Sequence, residues 1–198
     1  MERMSDEFEW ILASGSPRRR ELLGRLVPAF TVVTAAVEEW EPEEADPVEQ
    51  VEENARRKAQ AVALERPEAV VIAADTTVAL GRRLFAKPAD RAEAVRMLRC
   101  LSGRKHVVVT GVAIRHAGRE RIFSESSEVQ FRELTDATIE AYLERVHVYD
   151  KAGAYAIQES GELIIASWAG AFENIMGLPV ERLRRELVQL GLMEGDPE

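Results

Sequence analysis

The segment from Ala69 to Leu80, AVVIAADTTVAL, constrains the fold most, because it is a continuous apolar run interrupted by one acid. A strand that is apolar on both faces must be covered on both sides, which is typical of the middle of an α/β sheet. Strand patterns such as FEWILAS and FTVVTAAV alternate along the chain with helical patterns, of which residues 47–64 are the longest. This alternation predicts an α/β fold.

The rest of the chain continues the alternation. Asp90 is predicted to cap a helix that ends at Gly103, and the strands HVVVTGVAIRH and RIFSESSEVQF are predicted to flank a turn at Gly118. The remaining predicted elements are the acidic loop EPEEADP, the helix TDATIEAYLERV, the loop YDKAGAYAIQESG, the strand LIIASWAG and the closing helix LPVERLRRELVQLGL. No repeat or linker divides the chain, so residues 1–198 are expected to form one domain.

Composition narrows the classes of function. The net charge of −9 disfavours a nucleic-acid polymer as partner, because proteins that neutralise many phosphates carry a basic face or balance. No apolar run approaches the roughly 18 residues that a membrane span needs. The single cysteine, Cys100, excludes an internal disulfide and fits a reducing compartment. We therefore expect a cytoplasmic protein without a membrane partner.

Three arginines stand where a helix favours acids. Ser16 and Pro17 are typical of an N-cap and first helical position, which places Arg18, Arg19 and Arg20 in the first turn. Cations there are unfavourable by roughly a few tenths of a kcal/mol each, because the helix N-terminus carries a partial positive charge. The arrangement predicts a bound anion, and the acidic net charge favours a small one.

Asp75 is the most informative single residue. It is predicted to lie at the carboxyl end of the buried strand, which is the edge where open α/β sheets bind ligands. A carboxylate there can hold a divalent cation or accept a proton from water. A strand-end aspartate also serves as a turn or capping residue, so Asp75 alone does not decide between these roles.

Two lysines and an acidic pair complete the candidates. Lys58 lies in the helix before the buried strand, Lys87 precedes Pro88, and Glu38 and Glu39 end the second predicted strand. Each lysine alone is typical of a solvated surface charge. Together with the arginine turn and Asp75, they would form a site for phosphates and a metal if the fold gathers them.

Other common sites are absent from the sequence. The histidines His106, His116 and His147 lack partners at zinc-ligand spacing, and Cys100 lies in a helix where a packing role is favoured. The chain contains neither a Walker loop nor a G-x-G-x-x-G fingerprint.

Several long motifs resemble, in order, the signatures of the Maf family of nucleoside triphosphate pyrophosphatases. Between about Leu12 and Leu183 they are LASGSPRRRELL, ENARRKAQAV, AADTTV, KPAD, AVRMLRCLSGRKHVVVTGVAI, DKAGAYAIQ and GLPVERL. The resemblance implies a two-lobed α/β fold related to the inosine-triphosphate pyrophosphatases, with a mixed sheet and a central cleft. It also implies hydrolysis of a nucleoside triphosphate to the monophosphate and pyrophosphate with a divalent cation, Mg²⁺ or Mn²⁺.

The resemblance assigns roles to individual residues. It makes Asp75 the proton acceptor and links Arg18, Thr76 and Gln158 to the choice of base. An in-line water attacking the α-phosphorus needs such a carboxylate, and the leaving pyrophosphate needs cations.

The charged positions of the cleft follow in the same way. Lys58, Lys87 and Arg19 match positions that would hold phosphates. The metal is expected on Asp75 together with Glu38 or Glu39, a choice that the residues leave open.

DKAGAYAIQ resembles the subgroup that prefers dTTP and UTP, whereas the 7-methyl-GTP subgroup usually has a cysteine in place of Lys151. The amide of Gln158 can accept from the N3–H of uracil or thymine and donate to a neighbouring carbonyl, while Arg18 only donates. Cytosine presents a donor where O4 would be, a mismatch that a polar pocket rejects. Two departures from the family pattern are Thr77, in place of an apolar residue, and Glu159, in place of glycine.

Two alternatives come from other classes. The family is named for septum formation, so a non-catalytic regulator with a protein partner is one, and such a regulator would not need Asp75. A nucleic-acid-binding protein is the other, which the net charge of −9 disfavours. A third alternative, a 7-methyl-GTP pyrophosphatase, lies within the same family. The resemblance is compatible with a homodimer.

Overall fold

The computed structural model describes residues 8–42 and 45–195. The predicted acidic loop EPEEADP includes residues 43 and 44, which lie outside the described residues. The strands are β1 (Trp10–Leu12), β2 (Thr31–Val32), β3 (Val70–Leu80), β4 (Arg83–Phe85), β5 (Lys105–His116), β6 (Arg119–Phe131) and β7 (Ile165–Ala169). The helices are α1 (Pro17–Leu23), α2 (Pro47–Glu65), α3 (Arg91–Leu101), α4 (Asp136–Arg145), α5 (Phe172–Met176) and α6 (Val180–Gln189). Two short 3₁₀ turns lie at Ala152–Ala154 and Gly161–Leu163.

The strands form one mixed sheet in the order β2-β1-β3-β5-β6-β7, with β4 paired to β3 beside this path. β1 is parallel to β2 and β3, whereas β3, β5, β6 and β7 pair antiparallel in succession. The predicted α/β class with a mixed sheet is confirmed. Within residues 8–42 and 45–195, none of the helices has the length and hydrophobicity of a transmembrane span.

β3 lies in the middle of the sheet and is covered on both faces, as its apolar sequence predicts. Successive side chains of a strand point to opposite faces. Val71 and Ala73 pack with Ala55 and Ala59 of α2, while Ile72 packs in the main hydrophobic core on the other face. By this alternation, the side chain of Asp75 lies on the face of the sheet that α2 covers, and that of Thr76 lies on the opposite face, with the main core.

The prediction that Asp75 ends its strand is wrong. β3 runs on for five residues to Leu80, because it pairs with β5 from Val71 to Ala79. The strand that ends near Asp75 is β1, the parallel neighbour of β3. Within β3, β1 pairs with Val70 to Ile72 alone. Asp75 thus lies beside the carboxyl end of β1, where the edge of β3 is left open.

A glycine lets α2 approach the sheet at the same level. Gly111 of β5 pairs with Asp75, and a Cβ placed on Gly111 would lie 2.5 Å from the backbone carbon of Val51 in α2. Real Cβ atoms essentially never come so close to backbone. The absent side chain therefore permits the helix position from which two polar side chains reach Asp75.

Other elements follow the sequence with local differences. Ser16 caps α1 by accepting from the Arg19 amide, and β5 and β6 flank the turn at Gly118, as predicted. The strand expected over FTVVTAAV is reduced to Thr31–Val32, because only a short β1 is available to pair with it. β4 and α5 were not predicted.

Candidate active site

A cavity of about 470 Å³ opens beside the carboxyl end of β1. Most of the side chains that the sequence singled out line it: Arg18, Arg19, Glu39, Lys58, Asp75, Thr76, Lys87 and Gln158. Glu38 is exposed and is not among the lining residues. Of the two acids left open by the sequence, Glu39 is therefore the one that faces the cavity.

Asp75 is held by two donors from α2. Lys58 Nζ lies 2.7 Å from Asp75 Oδ1, and Asn54 Nδ2 donates to Asp75 Oδ2 at 3.0 Å. Asn54 and Lys58 are four residues apart, a spacing that puts both on one face of a helix. The residue is 8% exposed, and its carboxylate, fixed by these two donors, lines the cavity on one side.

The backbone of Trp40 fixes the Asn54 amide. The Trp40 N–H donates to Asn54 Oδ1 at 2.8 Å, and Asn54 Nδ2 donates to the Trp40 carbonyl at 3.0 Å. Because an N–H can only donate, the amide oxygen must face Trp40 and the amide nitrogen must face Asp75. Sequence reasoning missed Asn54, although its position four residues before Lys58 in ENARRK was an available signal.

Lys58 joins two carboxylates. Its Nζ lies 2.7 Å from Glu39 Oε1 as well as from Asp75. Burial alone would raise the pKa of Glu39, but the hydrogen bond and positive charge of Lys58 hold this pKa below its usual value. Glu41 also lines the cavity, and its pKa is raised by burial and by the neighbouring Glu39 charge.

Arg19 lies on the other side of the sheet edge. Its guanidinium donates to the Gly177 carbonyl and to Thr76 Oγ1, both at 2.9 Å, and burial lowers its pKa. The Thr110 hydroxyl donates to the carbonyl of Asn174, so the Thr76 hydroxyl must be the donor in its 3.0 Å bond with Thr110. The Thr76 hydroxyl is thus engaged as acceptor and as donor within the protein.

Arg18 is anchored across the cavity by an acid that the sequence did not single out. It donates to Asp150 Oδ2 at 2.9 Å and to the Asp150 carbonyl at 3.3 Å. Burial raises the pKa of Asp150, but hydrogen bonds from Lys151 and Arg18 outweigh it and lower the pKa overall. Because 132 residues separate the pair, no local pattern could have revealed it.

The cationic residues differ in how far the protein neutralises them. Lys58 and Arg18 form ion pairs, whereas Arg19 and Lys87 form none within the described part of the chain. Arg19 is hydrogen-bonded to neutral oxygens, and Lys87 is exposed at the cavity wall. Their charges remain available to an anion.

The donor set fits a hard divalent cation only in part. Within residues 8–42 and 45–195, no three acidic, histidine or cysteine side chains are arranged to hold a metal by themselves. Asp75 and Glu39 are joined through Lys58, and the buried Gln50 Oε1, at a lining residue, has no hydrogen-bond partner among the described residues. Mg²⁺ is commonly held by one or two carboxylates plus substrate phosphates. These oxygens therefore fit a cation that arrives with a polyphosphate.

An α/β sheet edge with a fixed carboxylate, a second acid and two cations outside the ion pairs of the described residues is the arrangement expected of a hydrolase that acts on a phosphorylated anion. Comparison with known proteins identifies the family. The family described as Maf-like protein matches residues 9–190, and the chain belongs to the Maf family.

Curated relatives cover nearly the whole chain. A dTTP/UTP pyrophosphatase of Akkermansia muciniphila is 47% identical over 91% of this chain and 96% of the relative. A protein of the same name from Bacillus velezensis is 42% identical over 92% of this chain and 96% of its own length. The predicted family resemblance is confirmed.

Solved structures support the fold alone. The Ham1 protein of Coxiella burnetii superposes with a TM-score of 0.56 at 16% identity, covering 92% of this chain and 99% of its own. The Staphylococcus aureus Ham1 protein gives 0.52 at 15% identity with the same coverage.

Proposed function

We propose that this protein hydrolyses dTTP and UTP to the monophosphate and pyrophosphate, with the reaction centred on Asp75. The observation that carries the proposal is the placement of Asp75 in a cavity that also presents Arg19 and Lys87, neither of which forms an ion pair within residues 8–42 and 45–195. The names of the curated relatives supply the nucleotides.

Asp75 is the proton acceptor for the attacking water. Lys58 and Asn54 fix both carboxylate oxygens from the α2 side and leave the cavity side for the water. Glu39 shares the Lys58 ammonium with Asp75, so Lys58 orients both acids. Lys58 also lines the cavity, where an α-phosphate oxygen could reach it.

Arg19 and Lys87 stabilise the charge that develops on the leaving pyrophosphate. A preorganised cation contributes most where it does not have to reorganise during the reaction. Arg19 meets this condition, because Thr76 and the Gly177 carbonyl hold its guanidinium in place. Thr76 thus acts through Arg19, and its influence on substrate choice is indirect.

A divalent cation, Mg²⁺ or Mn²⁺, would be held by Asp75 and Glu39 together with phosphate oxygens of the substrate. It would supply charge neutralisation on the phosphates. Gln50 also lines the cavity, and its Oε1, which has no hydrogen-bond partner among the described residues, would be available to accept from a water bound to such a cation.

Arg18 and Gln158 face the base. Arg18 supplies a donor whose position is fixed by Asp150, in the segment between α4 and β7. Gln158 lies further along that segment and supplies an amide that lines the same cavity. We further place the protein in the cytoplasm, as its single cysteine favours, and expect no polymeric nucleic-acid partner. A homodimer is compatible with this assignment.

The direct test is a panel of the canonical nucleoside triphosphates and 7-methyl-GTP, assayed for pyrophosphate release with Mg²⁺ or Mn²⁺. The proposal predicts the highest kcat/KM for dTTP and UTP. Preference for 7-methyl-GTP would assign the other subgroup activity. Absence of pyrophosphate release from every member would favour the non-catalytic regulator.

A further inference from the structure

We propose that Glu159 is a positioning residue that sets the choice of base by fixing the side-chain amide of Gln158. This inference rests on the proposed function, because it concerns how the same cavity separates uracil and thymine from cytosine. It goes beyond that function by assigning a specific task to an acid that is not among the residues lining the cavity.

The contact itself determines an orientation. Gln158 Nε2 donates to Glu159 Oε1 at 3.3 Å. A carboxylate has no proton to donate, so the opposite orientation would face the Gln158 oxygen against another oxygen. Glu159 therefore selects the orientation that commits Nε2 and leaves Gln158 Oε1 as the free polar atom of a cavity-lining side chain.

Glu159 is itself anchored by a buried ammonium. Its Oε1 lies 3.4 Å from Lys151 Nζ, and the Lys151 side chain is 6% exposed. Lys151 Nζ is held in turn by the His147 carbonyl at 2.6 Å and by Asp150 Oδ1 at 2.9 Å. The acid that orients Gln158 is thus tied to a fixed point of the fold, although its own side chain is 40% exposed.

The same ammonium anchors the other base-facing residue. Asp150 accepts from Lys151 through Oδ1 and from Arg18 through Oδ2. The contacts form a continuous series from Arg18 through Asp150, Lys151 and Glu159 to Gln158. Lys151 therefore holds in place both acids that position the base-facing groups: Asp150, which fixes the guanidinium of Arg18, and Glu159, which orients the amide of Gln158.

An amide fixed with Gln158 Oε1 free matches the hydrogen-bonding edge of uracil and thymine, in which an N3–H lies between two carbonyl groups. The N3–H of uracil or thymine needs an acceptor, which Gln158 Oε1 provides in the fixed orientation. N3 of cytosine is an acceptor and would need the flipped amide, which Glu159 opposes. Because a site rejects analogues by leaving polar groups unpaired, the fixed amide should raise the ratio of kcat/KM for UTP over CTP.

The test compares Glu159→Gln with the matched control Glu162→Gln. Glutamine keeps the size of residue 159 but can donate as well as accept, so it no longer selects one orientation of Gln158. Glu162 is an exposed acid of the same loop, and its replacement removes the same charge without touching Gln158. We expect Glu159→Gln to lower the UTP/CTP ratio of kcat/KM about three- to tenfold, mainly through slower UTP turnover at low substrate. Glu162→Gln should leave the ratio within about twofold.

A double-mutant cycle separates orientation from general electrostatics. In a Gln158→Ala background, Glu159→Gln should no longer change the UTP/CTP ratio, because its target is gone. An equal effect on UTP and CTP, or the same ratio change in both backgrounds, would overturn the inference. These failures differ from failure of the proposed function, which would appear as a wild-type enzyme with no preference for UTP over CTP.

Discussion

At Asp75, each carboxylate oxygen has its own donor, and the donors come from a single face of α2. Lys58 is shared with Glu39, so the buried ammonium keeps a partner if the charge of Asp75 is removed. This matters because an uncompensated buried charge would destabilise the fold and obscure a catalytic effect. The geometry therefore allows the chemical role of Asp75 to be tested separately from its structural role.

Asp75→Asn should lower kcat about 10²- to 10⁴-fold, because it removes the base and keeps the shape of the side chain. The melting temperature should fall only modestly: Glu39 still pairs with Lys58, although the new amide can accept from only one of the two donors of α2. The measurement is kcat for UTP with saturating Mg²⁺, alongside thermal unfolding. Glu181→Gln, an exposed change on α6, serves as control and should retain activity. Near-normal turnover by Asp75→Asn would contradict the assignment of the base.

Single residues also mark how far the sequence could predict the site. Asp75 and Arg19 stand out because charges in apolar or helix-start contexts are unusual, whereas Lys58 is marked only by the family motif that contains it. Asn54 is a neutral amide in a charged helix, and its role depends on the backbone of Trp40. Asp150 gains its role from Arg18, far away in the chain. The spacing of Asn54 from Lys58 indicates a shared helix face, but the Asn54–Trp40 and Arg18–Asp150 contacts exist only in the folded chain and could not be predicted from spacing.

Among the elements, the unequal lengths of β1 and β3 create the cavity. β1 supplies three residues, whereas β3 supplies eleven, so the edge of β3 between Ile72 and Val78, where β4 begins to pair, is open to the loop before α1. The sequence predicts the longer helices and strands, because periodicity reports which faces are buried. The ends of the strands depend on the partner strand, which explains the reduced β2 and the misplaced strand end at Asp75.

Gly111→Ala should test the approach of α2 to the sheet. The added Cβ would lie 2.5 Å from the Val51 backbone, so the helix must move. Overpacking of this kind destabilises by roughly 1–3 kcal/mol. We expect a lower free energy of unfolding and, below the unfolding transition, a reduced kcat, because Asn54 and Lys58 move away from Asp75.

Gly24→Ala is the matched control for this change. A Cβ at Gly24 would lie no closer than 3.4 Å to the neighbouring atoms considered, which is ordinary van der Waals contact. The free energy of unfolding and kcat should therefore both stay near the wild-type values. Equal effects of the two substitutions would contradict a specific role for the close approach.

At the scale of the whole molecule, the cavity draws on segments from both halves of the chain. Its walls include Arg18 near the start, Asp75 in the central strand and Gln158 in the loop before β7. A buried aromatic contact supports that loop, since His106 Nε2 lies 2.9 Å from the hydroxyl of Tyr155, another lining residue. Stability of the fold and shape of the cavity are therefore linked through His106.

This link predicts a pH dependence of stability. Burial lowers the pKa of His106 from 6.5 to about 4, so the unfolded chain binds a proton in this range and the folded chain does not. The contribution of neutral, buried His106 to the free energy of unfolding is therefore full above pH 6.5 and is lost as the pH falls from 6.5 towards 4. Between pH 7 and pH 5 the wild type should lose about 2 kcal/mol more unfolding free energy than His106→Gln, measured by urea unfolding.

The exposed His147→Gln variant is the control and should keep the wild-type pH dependence. An unchanged pH dependence in His106→Gln would show that other groups dominate the loss of stability in acid.

The position of water attack tests the central claim most directly. UTP is hydrolysed by the wild type in ¹⁸O-labelled water, and the products are separated and analysed by mass spectrometry. The account predicts UMP and pyrophosphate with one ¹⁸O in the UMP, because Asp75 is proposed to direct water to the α-phosphorus. Label in the pyrophosphate, or UDP and orthophosphate as products, would place the attack at another phosphorus and contradict the account.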